Sequence, residues 1–223
     1  RILQTAGLDF AVLAEAEWCC GDPARRTGNE LLYQKTVLRN IALFKQLGVK
    51  KIITLCPHCF NTFKNEYPQF GGCWEVVAHT ALIAELIRKE RLTMSQGRTL
   101  APLDSADKVK ITYHDPCYLT RYNSLGTEPR EILASLPGVE LVEMSRNREK
   151  SFCCGAGGGR FWTRFLQPNP IIKNRTEQAL TTGASVLVTA CPYCHRVFQE
   201  ELARRDQEHQ VRVLDIAELV APD

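Results

Sequence analysis

Cysteine is the residue type in this chain whose number and spacing could do chemistry. Ten cysteines occur in 223 residues, and only Cys73 and Cys117 stand apart from the others. The remaining eight form two Cys-Cys pairs and two Cys-x-x-Cys motifs: Cys19-Cys20, Cys153-Cys154, Cys56-Pro-His-Cys59 and Cys191-Pro-Tyr-Cys194. Clustering of this kind indicates metal or redox chemistry.

Three kinds of chemistry can use these motifs. A disulfide within a Cys-Cys pair is disfavoured, because adjacent Cα atoms are about 3.8 Å apart and an unstrained bridge needs about 4.4 Å or more. Each Cys-x-x-Cys motif could cycle as a thiol-disulfide reductase, and a pair plus one such motif could hold a structural zinc ion in an interaction module. A polynuclear iron-sulfur cluster can use both thiolates of a pair, whereas one zinc ion would crowd them, so iron-sulfur is favoured and the other two hypotheses stay open.

The motifs form an internal repeat. Cys20 and Cys56 are 36 positions apart, and Cys154 and Cys191 are 37 apart. Cys117 precedes Cys153 by 36 positions, and a counterpart in the first copy would lie before the first residue. We therefore expect a duplicated module whose first copy is N-terminally truncated here, in a sequence that is the C-terminal part of a larger protein.

Alternating strand and helix patterns must position these cysteines. The second copy predicts strands at 109–114, 139–143, 186–189 and 211–214, with helices at 128–136, 171–182, 193–205 and 215–220. The first copy predicts a helix at 29–47 and a strand at 51–55. Repeated βα units imply parallel sheets in an α/β fold. Since ligands bind beyond the carboxyl ends of such strands, the cysteines of the second copy should converge on one edge.

Composition separates the two copies and limits the function. The stretch 91–108 has no clean period and carries turn residues, so we expect modules at 1–90 and 109–223 joined by a linker. The net charge of +3 gives no basis for nucleic-acid binding. No apolar stretch approaches the roughly 20 residues that span a bilayer.

His114, which ends a predicted strand three residues before Cys117, is the candidate for proton transfer.

The order and spacing of the motifs resemble those of the CCG cysteine-rich domain family. That pattern is a lone Cys, followed by Cys-Cys-Gly and then by Cys-x-x-Cys. The second copy matches this pattern in full, and the first copy matches all but the opening cysteine. The resemblance implies two tandem Rossmann-like modules related by a pseudo-twofold axis, each with a noncubane 4Fe-4S cluster. The implied ligands are Cys117, Cys153, Cys154, Cys191 and Cys194 in the second module, and Cys19, Cys20, Cys56 and Cys59 in the first.

Within that family, the sequence is similar to heterodisulfide reductase subunits B and D and to membrane-associated iron-sulfur oxidoreductases of the electron-transfer-flavoprotein:quinone type. The resemblance implies electron transfer between a flavoprotein or dehydrogenase subunit and quinone or a disulfide. It also implies a cytoplasmic protein or one on the cytoplasmic face of the cell membrane. Any membrane contact would come through regions outside this sequence.

Overall fold

Short parallel β-strands separated by helices form the framework of the chain, as the sequence pattern predicts. The structure is a computed structural model that describes residues 1–93, 108–163 and 170–222. Most of the predicted linker, residues 94–107, lies outside the described residues. The strands are β1 Lys51–Thr54, β2 Glu75–Ala78, β3 Val109–His114, β4 Val139–Leu141, β5 Val186–Thr189 and β6 Arg212–Asp215.

The strands pair in two parallel sheets. In the first half of the chain, β1 pairs with β2, and in the second half the order is β4-β3-β5-β6. The last residues of β3, β5 and β6 are in register, so His114 lies beside Thr189 and Thr189 beside Asp215. The carboxyl ends of these strands therefore form one level edge, and Cys117 and Cys191 follow directly from it. This is an α/β fold with parallel sheets, as predicted.

Helices connect the strands in both halves. They are α1 Ile2–Thr5, α2 Asp22–Arg26, α3 Glu30–Gln46, α4 Pro57–Asn61, α5 His79–Arg88, α6 Cys117–Asn123, α7 Glu128–Ala134, α8 Ile171–Leu180, α9 Pro192–Arg204 and α10 Ile216–Val220. A π-helical turn, Thr62–Glu66, continues α4. No helix in the described part of the chain combines the length and apolar composition that crossing a bilayer requires.

Side-chain caps explain where two of the predicted helices begin. Asn29 precedes α3, and its side chain accepts a hydrogen bond from the backbone N–H of Leu32 at 3.2 Å. Asp215 caps α10 with a full capping box, in which Glu218 accepts from the backbone N–H of Asp215 at 2.7 Å. Both caps satisfy helix N–H groups that have no partner within the helix. The sequence predicted these two starts correctly, because capping is a local interaction.

The two halves share one apolar core. Leu82, Ile83 and Leu86 of α5 pack in the same buried cluster as Ile111 of β3 and Ile132 of α7. Two smaller clusters lie under α8 and α9 in the second half and under α3 in the first. A helix of the first half therefore helps to bury the sheet of the second. The module boundaries at 90 and 109 stay a prediction, since this core crosses them.

Candidate metal centre

Five cysteines of the second half lie around the carboxyl edge of its sheet. Cys117 begins α6 just after β3, and Cys191 precedes α9 directly after β5 as its N-cap. Cys194 lies in the first turn of α9, and Cys153-Cys154 lie in the loop between β4 and α8. The connections that follow β3 and β5, together with the loop between β4 and α8, thus place all five cysteines at this edge of the sheet.

Interactions between thiol groups join these five residues into one set. The Sγ atoms of Cys154 and Cys194 are 3.2 Å apart. The other interactions pair Cys194 with Cys191, Cys154 with Cys153, and Cys153 with Cys117. Cys154, Cys191 and Cys194 are buried, and the other two are partly exposed. The structure therefore brings together all five residues that the sequence assigned to the second site.

Four cysteines of the first half form a second set. Cys56 is the N-cap of α4 and Cys59 lies in its first turn, while Cys19-Cys20 precede α2. Cys20 interacts with both Cys19 and Cys59, and Cys59 interacts with Cys56. Cys19 is exposed, unlike any cysteine of the second set. The same two motifs thus build a more open group of four sulfurs.

A hydrogen-bonding interaction between the thiols of Cys56 and Cys191 links the two sets. The sulfur interactions then form a continuous path through nine residues, in the order Cys19, Cys20, Cys59, Cys56, Cys191, Cys194, Cys154, Cys153 and Cys117. Cys73 is exposed and takes no part in this path within the described residues. Sequence reasoning placed the cysteines of the second set at one sheet edge, but it did not predict the interaction between Cys56 and Cys191, for which the motifs carry no signal.

Glycine makes the turn after each Cys-Cys pair possible. Gly21 and Gly155 have φ of +91° and +84°, in the left-handed region that favours glycine. A Cβ on Gly155 would lie 2.8 Å from Cβ of Ile171, and one on Gly21 would lie 2.8 Å from the Tyr33 ring. The turn also aims the N–H of Gly155 at Sγ of Cys153, at 3.2 Å. Any side chain larger than hydrogen would therefore be strained at both positions.

Hydrogen bonds between the thiols favour ionisation of some of them. The hydrogen bond from Cys117 lowers the pKa of Cys153, with further help from Cys154 and the Gly155 N–H, although burial opposes it. The hydrogen bond from Cys191 likewise lowers the pKa of Cys56. Because the thiolate is the form that binds metal, both sets contain a sulfur prepared for ligation.

An ion pair lies beside the junction. His58, between Cys56 and Cys59, places its Nδ1 2.8 Å from Oδ2 of Asp22, and both side chains are buried. Burial alone would lower the pKa of His58, but the hydrogen bond and charge of Asp22 raise it. The His58 ring also stacks on the Tyr118 ring, with 4.2 Å between the ring centroids, and its centroid lies 5.0 Å from that of the Tyr193 ring. Both tyrosines belong to the second half. Sequence reasoning missed Asp22, which follows Cys-Cys-Gly in the first copy only.

His114 is enclosed next to the second set. It is 1% exposed, and its Nδ1 accepts a hydrogen bond from Nε of Arg175 at 3.0 Å. A ring nitrogen and the sulfurs of Cys154 and Cys194 all lie within 4.8 Å of one another. Burial, followed by the charge of Arg175, lowers the pKa of His114 well below its usual value. Its role in proton transfer stays a prediction.

The donor set of the second half fits a polynuclear iron-sulfur group. One zinc ion takes four tetrahedral ligands, whereas five cysteine thiols interact pairwise here. Iron-sulfur clusters are held by cysteine thiolates at several iron atoms, so a fifth donor and an adjacent pair can be used. The first half offers four sulfurs of the same kind.

The chain is similar to proteins that are named for iron-sulfur or quinone redox chemistry. It is 45% identical over 221 residues to the probable iron-sulfur-binding oxidoreductase FadF of Bacillus subtilis, covering 99% of this chain and 30% of the relative. It is 40% identical over 227 residues to EtfAB:quinone oxidoreductase of Syntrophomonas wolfei, covering 99% and 30%. It is 34% identical over 230 residues to one subunit of the dihydromethanophenazine:CoB–CoM heterodisulfide reductase of Methanosarcina barkeri, covering 99% and 53%.

The chain therefore spans about a third to a half of the length of these relatives. The model of the family described as "CCG: Cysteine-rich domain" matches residues 1–64 and 111–199, which is more than half of the chain. Both matched segments contain the Cys-Cys-Gly and Cys-x-x-Cys motifs whose sulfurs the fold assembles. The resemblance inferred from those motifs is confirmed, and the chain belongs to the CCG cysteine-rich domain family.

Proposed function

We propose that this chain is the iron-sulfur part of an electron-transfer oxidoreductase similar to heterodisulfide reductase. The single observation that carries the proposal is the continuous path of nine cysteine sulfurs across both halves. Relatives named as an iron-sulfur-binding oxidoreductase, a quinone oxidoreductase and a heterodisulfide reductase component support it. An iron-sulfur cluster supplies one-electron transfer and storage when bound, at a potential that its protein surroundings set.

The second half would hold a 4Fe-4S cluster of the noncubane type. Its ligands would be Cys117, Cys153, Cys154, Cys191 and Cys194, whose sulfurs form one connected set of contacts. The chain's own part in this chemistry is to present those sulfurs at one sheet edge and to exclude water. Burial of three of the five supports that part of the proposal.

The first half would hold a second cluster on Cys19, Cys20, Cys56 and Cys59. The pairing of β1 with β2 resembles that of β5 with β6, and each Cys-x-x-Cys motif begins the helix after the corresponding strand. These likenesses support two tandem modules in pseudo-twofold relation. A fifth ligand equivalent to Cys117 is expected from the repeat alone.

The contact between Cys56 and Cys191 suggests what the two sites do together. Electron transfer between clusters is favoured when they are close, and here a thiol of one set interacts with a thiol of the other. Electrons would enter from a flavoprotein or dehydrogenase subunit and leave to quinone or a disulfide. The protein would work in the cytoplasm or at the cytoplasmic face of the membrane, with any membrane contact made by other parts of the full protein.

Anaerobic purification followed by iron, sulfide and zinc analysis tests this proposal. The wild-type protein should be brown and contain several iron and sulfide equivalents. Cys154→Ala should remove the electron paramagnetic resonance signal of the second site, because Cys154 contacts both Cys153 and Cys194. The matched control is Cys73→Ala, which removes an exposed thiol outside the sulfur path and should leave iron content and spectrum unchanged.

Other results would lead to one of the alternatives. Stoichiometric zinc without iron would support a structural interaction module, and metal-free dithiols that reduce a model disulfide would support a thiol-disulfide reductase. An unchanged spectrum in Cys154→Ala would mean that the second site uses other ligands. To identify the acceptor, the dithionite-reduced protein can be mixed with a soluble quinone or a model disulfide and its reoxidation followed optically.

A further inference from the structure

Arg175 is a buried guanidinium in the second half that has only neutral partners. It is 0% exposed on α8. It donates to Nδ1 of His114, to the carbonyl of Arg146, to Oε1 of Gln178 and to Oγ of Ser151, at 3.0, 2.8, 2.7 and 3.2 Å. Across residues 1–93, 108–163 and 170–222, no carboxylate forms an ion pair with it. A buried charge without an opposite charge is costly, so a negative group should lie nearby.

The nearby negative charge is that of the second cysteine set. Burial lowers the pKa of Arg175 to about 10, whereas Asp115 and then the thiolates of Cys194, Cys154 and Cys153 raise it. Asp115 is already bound by Arg130 through two hydrogen bonds of 2.8 and 3.0 Å. A cluster held by several thiolates would supply the negative charge that this guanidinium otherwise lacks.

His114 connects the guanidinium to the sulfurs. Arginine has hydrogen-bond donors only, so Nδ1 of His114 must be the acceptor from Arg175. The neutral ring therefore carries its proton on Nε2. That nitrogen is buried and has no hydrogen-bond partner in the part of the chain that the structure describes. A ring nitrogen lies within 4.8 Å of the sulfurs of Cys154 and Cys194, and Nε2 is the ring nitrogen that Arg175 leaves without a partner among the described residues.

The same contact argues against His114 as an iron ligand. A histidine that binds metal through one nitrogen donates the N–H of the other to a carboxylate, carbonyl or water. His114 has the opposite arrangement, because its Nδ1 accepts a hydrogen bond from Arg175 instead of donating one. Ligation through Nε2 would require removal of the proton that Arg175 holds there. The arrangement also keeps that proton in place, which favours hydrogen bonding over proton transfer.

We propose that Arg175 and His114 form a positioning pair, in which Arg175 fixes the tautomer of His114 and His114 donates a hydrogen bond from Nε2 to the sulfur ligands of the second cluster. The inference rests on the proposed function, since it requires a cluster at that site. Hydrogen bonds to cluster sulfurs and a buried positive charge both stabilise the more reduced, more negative state. The pair therefore raises the reduction potential of the second cluster.

The first half has no such pair among its described residues. When the two Cys-Cys pairs are aligned, Arg175 corresponds to Ile41, which is 5% exposed and packs in the apolar cluster under α3. The two clusters would thus differ in potential although their ligand motifs repeat. A higher potential at the second site would draw electrons from the first site toward it.

Redox titration of the iron-loaded full protein, followed by electron paramagnetic resonance, tests the pair. Arg175→Leu and His114→Asn should each lower the ratio of reduced to oxidised second cluster at least tenfold at a fixed potential, or about 59 mV for one electron. His114→Gln should change this ratio less, since the N–H of the glutamine amide can replace the Nε2–H of histidine as the hydrogen-bond donor. Arg121→Leu is the charge control: Arg121 is exposed and acts on Cys117, so solvent screening should make its effect smaller.

A hyperfine measurement on the wild-type cluster needs no substitution. We expect an exchangeable proton, lost in deuterium oxide, that couples to the cluster, together with only weak coupling to ¹⁵N-labelled histidine. Strong histidine nitrogen coupling would show direct ligation and overturn the proposal. So would a cluster potential that is unchanged in both Arg175→Leu and His114→Asn. Absence of any cluster from the wild-type protein would instead refute the proposed function on which the inference rests.

Discussion

Strands β1 and β5 hold corresponding positions in the two halves, yet only one of them is buried. Counted back from the Cys-x-x-Cys motifs, Ile53 corresponds to Val188, and their exposed fractions are 38% and 0%. β5 lies between β3 and β6, whereas β1 pairs only with β2 among the described residues. The apolar pattern of the two strands is alike, so burial here depends on the neighbouring strands rather than on the strand's own sequence.

The cysteine sets show the same contrast. Three of the five sulfurs in the second set are buried, while in the first set only Cys20 is buried and Cys19 is exposed. Solvent exposure is one of the factors that set cluster potential. A repeated ligand motif can therefore serve two sites with different properties, because the surrounding sheet decides how much water reaches each one.

The largest expected difference between the halves concerns buried charge. In the second half, Arg130 binds Asp115, whose side chain is 0% exposed, and also binds Glu143. In the first half, Arg25 binds Glu66, but the side chain of Arg25 is 26% exposed. Arg130→Leu should lower the free energy of unfolding by about 4 kcal/mol, because it leaves Asp115 buried and unpaired. Arg25→Leu should lower the free energy of unfolding by about 1 kcal/mol.

Urea denaturation of the metal-free protein, followed by circular dichroism, measures both changes. Equal losses for the two variants would mean that the first-half pair is as enclosed as the second-half pair. Asp115 immediately precedes the turn that leads into Cys117, so Arg130→Leu should also reduce iron uptake by the second site.

A smaller effect is expected from the strands themselves. Val188→Ala should destabilise the protein by about 2 kcal/mol, because it removes two buried methyl groups and leaves a cavity. Ile53→Ala should cost less than about 1 kcal/mol, since part of that side chain already contacts water. Thermal unfolding of both variants measures the difference. If Ile53→Ala proves as costly as Val188→Ala, the exposed face of β1 is covered in solution.

The smallest expected effect is pH-dependent and concerns Glu201. Glu201 and Glu66 lie at the same distance after their Cys-x-x-Cys motifs, and Glu201 accepts hydrogen bonds from Arg204 and Arg205. Burial raises the pKa of Glu201, but these hydrogen bonds and charges lower it overall. Its stabilisation is therefore fully present above the unfolded pKa of about 4.3 and is lost as the pH falls through the folded pKa.

Glu201→Gln should accordingly cost about 1 to 2 kcal/mol at pH 7 and progressively less below pH 4. Unfolding curves from pH 3 to 7 measure this, and a loss that does not change with pH would contradict it. Iron uptake should stay unchanged. Glu66→Gln should in addition reduce uptake by the first site, because Glu66 binds Arg25 and Arg26 of the helix that follows Cys19-Cys20.

Most elements of the fold were predictable because their signals are local. The helix at 29–47 and the strands around Cys117 and Cys191 have clear periods and caps, and the structure reproduces them within a few residues. The predicted strand at 139–143 is shorter in the structure, where β4 ends at Leu141. Sequence reasoning did not predict β2 and α5. Six residues of α5 are buried, and Leu82, Ile83 and Leu86 among them pack in the cluster that extends into the second half.

The two sets of cysteines were predictable for the same reason, but their surroundings were not. One signal was available for Arg175, which lies on the helical stripe that contains Ile172 and Ala179 and is therefore an arginine at a core position. Its partner His114 is 61 residues away in sequence. No local pattern connects such residues, since their contact arises only when α8 packs on the sheet.

By itself, the sequence determined the identity, order and approximate spacing of the nine cysteines that match the CCG pattern. These are properties of short segments, in which the covalent chain fixes the geometry. Only the tertiary structure decided that Cys56 meets Cys191, that one set is enclosed and the other open, and that Arg175 reaches His114. Those outcomes depend on the packing of segments far apart in the chain, through contacts that no single segment encodes.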